Sequence, residues 1–185
     1  MKKIRILNIF LLAFLGFSYS CNYVPPVEPP KVIDKEQTLV DKKFVTSFEP
    51  TYKVGMKYTF IVTTTSTTQN ISKTPEEVTT EIIELNPPKV KVKFTSSLRG
   101  EQIKEDLIDN FDPDIPENGI VNEGKESVTV PSGTYDANKV SYFVDLGSAR
   151  YKTSLWLVKD IGAVKKVDIL PDTTIITSEL KNFKN

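Results

Sequence analysis

The sequence predicts an all-β domain: an antiparallel meander of about eight strands forming a curved sheet or open barrel, with one short helix. Three observations carry this. Runs of β-branched and aromatic residues alternate with polar ones at period two, and turn residues recur about every ten positions. The stretch from Glu126 to Val167 also reads as three extended segments joined by compact turns, the first of them Val130-Pro131-Ser132-Gly133. Proline at the second position and glycine at the fourth suit a type I turn that opens into a bulge, so a hairpin is the consequence.

Composition bounds the chemistry. A chain of 185 residues has room for one ordinary domain plus extensions. The 24 basic and 24 acidic residues cancel, but setting aside Lys2, Lys3 and Arg5 leaves 21 basic against 24 acidic groups. That mild acidity, without a basic stripe, removes the electrostatic footprint of a nucleic-acid binder. Histidine is absent, which excludes His-based triads, His general bases and His-ligated zinc. A single cysteine excludes an internal disulfide and a cysteine-clustered metal site. No cofactor is implied.

Taken in order, the N-terminus has three cations in Met1–Arg5, an unbroken apolar run from Ile9 to Phe17, and Ser18-Tyr19-Ser20 ahead of Cys21. This is the layout of a secretory signal over residues 1–20. The run is far short of the ~20 residues that span a bilayer. The lone cysteine stands where bacterial lipoprotein signals place the residue that is acylated, with Ser20 as the small residue before it; Cys21 is therefore the expected lipidation site. Pro25, Pro26, Pro29 and Pro30 follow, so residues 21–43 read as the lipidated cysteine and a semi-extended tether. Residues 44–185 form the single β domain. Acyl chains on Cys21 would bind the membrane through buried methylenes.

In the domain, Tyr58, Phe60 and Val62 fall on one face of a strand over residues 57–68. Gln69 to Pro75 is a polar turn and Val78 to Leu85 the return strand. Val90, Val92 and Phe94 alternate with Lys91, Lys93 and Thr95 as a strand with one wet face. Ile103, Leu107 and Phe111 then recur at intervals of four among acids, which predicts the one short amphipathic helix. Residues 112–124 read as a long loop. Four acids between Asp109 and Glu117 raise a calcium site, but the EF-hand spacing is missing and two prolines stiffen the loop, so no metal ligands are assigned. Val128 and Val130 mark the next strand, and Val140, Tyr142, Val144 and Leu146 the core face of its partner. In the next strand Tyr151, Thr153, Leu155 and Leu157 alternate with Lys152, Ser154, Trp156 and Val158. The far half of this strand, around Trp156, is apolar on both sides and must be covered twice. Strands over 163–170 and 173–180 complete the meander.

Two stretches carry a resemblance. Val54-Gly55-Met56-Lys57-Tyr58-Thr59-Phe60 has a glycine followed by an aromatic-x-aromatic pair. Val128-Thr-Val-Pro-Ser-Gly-Thr-Tyr135 is followed by Trp156 and by Gly162-Ala-Val-Lys165. Together they resemble a family of exported bacterial β domains of unknown function. The resemblance implies a curved antiparallel sheet in the cell envelope and supplies no catalytic residues.

These features point to a membrane-anchored envelope lipoprotein with a non-catalytic binding or structural domain. The alternative is a carrier or sensor of lipids or other apolar ligands, whose groove would be formed by Phe111, Tyr135, Phe143 and Trp156. Expected partners are the membrane, through lipid on Cys21, and an apolar ligand or an envelope protein. Asn22 after Cys21 is not the Asp that retains lipoproteins at the inner membrane, so the outer membrane or cell surface is the expected place. A carboxylate-pair enzyme ranks last, because the acids lie in tether, turns and wet faces.

Overall fold

The computed structural model describes residues 38–66, 71–72, 74–107, 114–147 and 149–185. Cys21 and Phe111 lie outside them. The elements are β1 (Thr38–Val40), α1 (Lys42–Thr46), β2 (Lys57–Ser66), β3 (Ile71–Ser72), β4 (Glu76–Asn86), β5 (Lys89–Ser96), β6 (Gly100–Leu107), β7 (Ile120–Val130), β8 (Gly133–Leu146), β9 (Ala149–Val158), β10 (Gly162–Ile169) and β11 (Thr174–Lys184). Ten strands run in one open sheet, in the order β1-β7-β8-β9-β10-β11-β2-β4-β5-β6, with β3 pairing the end of β2. Every pairing is antiparallel. The predicted class is the one observed.

The cross-strand register shows how the sequence builds an inner face. Tyr142, Thr153, Asp168, Ile176 and Thr64 stand opposite one another in turn across β8, β9, β10, β11 and β2, and all are buried. The next row, Val140, Leu155, Lys166, Ser178, Val62 and Glu76, is buried along its whole length. Because side chains alternate between faces, the phase of each strand fixes its neighbour's. Register shifts at Asn122/Gly124, Ile82/Glu84, Ala163/Lys165 and Leu180/Asn182 bend and twist the strands. The Pro131-Ser132 turn forms as predicted, and its tip reaches β11, where the Ser132 N–H donates to the Leu180 carbonyl at 2.9 Å beside the last of these bulges.

Three expectations need correction. Ile103 and Leu107 belong to β6, not to a helix. A spacing of four puts two residues on one face in either period, so the pattern could not discriminate. What decides for the strand is pairing: Lys89 meets Glu105 at 2.7 Å and Lys93 meets Glu101 at 3.6 Å across the β5–β6 ladder, while Lys104 lies 5.8 Å from the Phe94 ring centre. The short helix is instead α1, whose N-cap Asp41 accepts the Phe44 N–H at 3.0 Å. Second, Ile120–Gly124 is not loop but the first part of β7, with Ile120 fully buried. Third, the described residues form eleven strands rather than about eight, the additions being β1, β3 and β6.

Two apolar clusters matter for the site. One lies under α1 and joins Val45, Ile115 and Ile120 to Val140, Tyr142, Tyr151 and Leu155. The other is the small packed group of Met56, Ile82, Val90 and Val92 on the β4–β5 side. Between them the inner face of β10, β11 and β2 is covered by the chain from Asp41 to Tyr52, which runs over it as a strap.

Candidate functional site: a pocket under the N-terminal strap

The strap is tied at several points. The Lys42 N–H donates to the Glu117 carbonyl at 3.1 Å, the Lys159 ammonium donates to the Ser47 carbonyl at 2.6 Å, and β1 pairs with Ile120–Asn122 of β7. Val45 of α1 points down into the cluster and is buried. At Gly162 the backbone takes φ of +87°, which side chains with a Cβ resist, and Pro50 of the strap sits 4.0 Å from where that Cβ would be.

Beneath the strap a cavity of about 130 Å³ remains. Its walls are apolar: Val45, Phe60, Ile115, Leu155, Leu157 and Ile161. Lys166 and Ser178, directly opposite each other on β10 and β11, supply polar atoms, with Thr80 from β4 and Glu49 from the strap. The cavity approaches the 150 Å³ that holds a benzene ring in an engineered apolar site, and falls below the ~300 Å³ at which pockets for drug-sized ligands begin.

The electrostatics are arranged around one buried ion pair. The Lys166 ammonium lies 3.4 Å from Asp168 Oδ2, both side chains being under a tenth exposed. Asp168 Oδ1 accepts the Thr153 hydroxyl at 2.7 Å. The carboxylate is thus held behind the lysine by a fully buried threonine, while the lysine itself borders the cavity. Burial, and then the negative charge of Glu49, push the Tyr58 phenol above its ordinary range. Glu49 in turn accepts the Tyr52 hydroxyl at 3.0 Å. A Ser–Lys nucleophile would need the amine within hydrogen-bond reach of the hydroxyl. Lys166 instead meets a carboxylate, Asp168, at 3.4 Å.

The aromatic residues expected to form a groove are placed elsewhere. Trp156 sits across from Lys165 and Lys139, whose ammonium groups lie 5.7 and 5.1 Å from its ring centre, and its indole N–H donates to Glu126. Tyr135 donates to the Ser132 hydroxyl at 3.2 Å and packs, like Trp156, against the cluster of Val128, Val130 and Ala137. That cluster provides the second cover that the far half of β9 required. Phe143 is 51% exposed beneath the Arg150 guanidinium, 4.3 Å away, and does not join the other two. None of the three borders the cavity. Of the four loop acids, Asp109 and Asp112 lie outside the described residues; Asp114 accepts from Tyr151 at 3.5 Å, and Glu117 meets Lys42 at 3.6 Å. Among the described residues no group of three or more His, Cys, Asp or Glu side chains could hold a metal.

The pocket residues were missed because they read as ordinary core or loop. One signal was available. In Val164-Lys165-Lys166-Val167-Asp168 and Ile176-Thr177-Ser178-Glu179-Leu180 the buried phase carries Lys166, Asp168 and Ser178, polar residues where a plain core would have none.

The profile of the DUF3108-like family matches residues 31–168, well over half of the chain, and the chain belongs to that family, a domain family of unknown function. Two solved structures are similar. One, from Bacteroides fragilis NCTC 9343, is classed as an exported protein with a YmcC-like fold; it has 11% identity and a TM-score of 0.47, over 75% of this chain and 100% of that one. The other, classed as a lipoprotein, is from Parabacteroides distasonis ATCC 8503; it has 12% identity and a TM-score of 0.45, over 74% of this chain and 98% of that one. No curated protein sequence matches the chain.

Proposed function

We propose that this DUF3108-like protein is a lipid-anchored, non-catalytic β domain of the bacterial cell envelope, and that it binds a small apolar ligand in the pocket under its N-terminal strap. The observation that carries the binding role is the pocket: a half-open apolar recess with a few polar groups on its wall. A cavity of about 130 Å³ does not enclose a whole lipid, so the ligand is a small molecule or the end group of a larger one. The aromatic residues Tyr135, Phe143 and Trp156 are not its lining, and a non-catalytic role is supported by a chain without histidine and a lysine held against a carboxylate.

Anchoring rests on Cys21 after its signal-like leader and before the proline-rich tether, and Asn22 favours the outer membrane or cell surface. Two measurements test the reading. Cys21→Ser should move the protein from the detergent phase to the aqueous phase; retention in the detergent phase contradicts the anchor. Protein extracted from membranes should lose a bound mass between native and denaturing mass spectrometry. A single unliganded mass, unchanged after incubation with membrane extracts, contradicts the binding role.

A further inference from the structure

We infer that the pocket selects an uncharged molecule carrying a hydrogen-bond acceptor, such as a ketone, ester or amide carbonyl on a ring or branched alkyl group, rather than a pure hydrocarbon or a carboxylate. The inference rests on the pocket being a binding site and deepens that reading to a ligand class.

Size comes first. A recess of about 130 Å³ seats a group about the size of a six-membered ring. The walls then ask for apolar surface, since Val45, Leu155, Leu157, Ile161 and Phe60 have no polar atom to offer a ligand beyond their backbone. A pure hydrocarbon nevertheless fits poorly. It would cover the polar atoms that Lys166 and Ser178 bring to the wall and offer them no acceptor. Ser178 is 3% exposed and lines the cavity, opposite Lys166 on the neighbouring strand. A hydroxyl on the wall of an apolar cavity is best matched by an acceptor on the ligand.

Charge decides the rest. Lys166 would be the natural partner of an anionic head group, but Asp168 lies 3.4 Å behind it, fixed by Thr153, so the pair is already neutral. Glu49 on the strap adds a second carboxylate at the cavity wall. A carboxylate ligand would therefore be a third anion around one cation, in a site of low dielectric where such repulsion is strong. A neutral carbonyl oxygen accepts from Ser178 and from the lysine without disturbing the pair. A cationic ligand would be drawn to Glu49, but would meet the Lys166 ammonium at the other wall.

The test uses the full chain in lipid nanodiscs, with methyl NMR of Val45, Ile115, Leu155, Leu157 and Ile161 as the readout. Four probes share one ring: cyclopentanone, cyclopentane, cyclopentanecarboxylate and cyclopentylammonium. Cyclopentanone should shift these methyls saturably and bind at least fivefold more tightly than any of the other three. Ser178→Ala should cut its advantage over cyclopentane at least threefold, leaving cyclopentane binding unchanged. Equal binding of ketone and hydrocarbon overturns the acceptor requirement, and tightest binding of the carboxylate or the ammonium overturns the charge argument; in both cases the pocket survives as a binding site. If no probe shifts any of these methyls, the binding role itself falls with the inference.

Discussion

The centre of the sheet and its β4–β6 wing are made of the same antiparallel ladder and treat charge in opposite ways. In the centre, Lys166, Asp168 and Thr153 lie on the buried face and satisfy one another. In the wing, Lys89, Lys91 and Lys93 meet Glu105, Glu84 and Glu101 in the open, at 2.7, 2.6 and 3.6 Å, while the inner side is a tight group of Met56, Ile82, Val90 and Val92. The wing spends its charges on pairing register and solubility. The centre keeps polar groups where hydrophobic residues would pack more simply, and it is the centre that keeps the cavity. A buried ion pair stabilises a fold little compared with apolar residues of the same shape. Its place beside the apolar pocket under the strap fits the proposed role in selecting a ligand.

Breaking the central pair should have the largest effect. Asp168→Ala leaves the Lys166 ammonium buried beside a lost partner and should cost about 3–5 kcal/mol in urea unfolding. The double variant Lys166→Met, Asp168→Leu should recover most of that loss, because both charges are gone. If the double variant is as unstable as the single, the pair stabilises the fold in its own right. In the wing, Ile82→Ala should cost about 2–5 kcal/mol, since Ile82 is 1% exposed and its cluster is packed on all sides.

A smaller effect is expected from pH. Burial pushes the Glu123 carboxyl up, but hydrogen bonds from Ser141 at 2.6 Å and Lys139 at 2.9 Å outweigh it and hold the group below its ordinary value of 4.5. The folded protein thus takes up this proton less readily than the unfolded chain. Its contribution to stability is present above a pH of about 4.5 and is lost as pH falls through the lowered folded value. Glu123→Gln should flatten that part of the stability curve and leave the slope at neutral pH unchanged. The smallest effect belongs to the wing surface: Lys89→Met removes the ion pair with Glu105 and should leave the unfolding midpoint unmoved within error, because both groups are solvated.

How much of this could be read from the sequence differs between the same two regions. Strands with alternating Val, Tyr and Leu on one face, such as β8 and β9, declared both their type and their buried side, and Pro131-Ser132 declared its turn. In β6 the spacing of Ile103 and Leu107 fits helix and strand alike, and only the cross-strand partners Lys89 and Lys93 settle it. Those partners lie in another segment, so no local pattern holds the answer. The pocket was hidden for a related reason. Its walls come from the strap, from Ile115 and from five strands, and a cavity is the place where ordinary core residues fail to meet. Trp156 and Phe143 drew attention by size, yet one is sandwiched by lysines and the other lies under an arginine. Lys166 and Ser178, smaller signals in the buried phase of their strands, were the better guide.

The contrast between an open centre and a packed wing has a direct measurement: methyl NMR of the full chain under xenon pressure, since xenon enters apolar cavities and ignores filled cores. Methyl signals of Val45, Ile115, Leu155, Leu157 and Ile161 should shift with pressure and saturate, while those of Ile82, Val90 and Val92 stay in place. Shifts in neither group would mean that the pocket is closed in solution, and equal shifts in both would mean that it is no more than loose packing; either result contradicts a binding site under the strap.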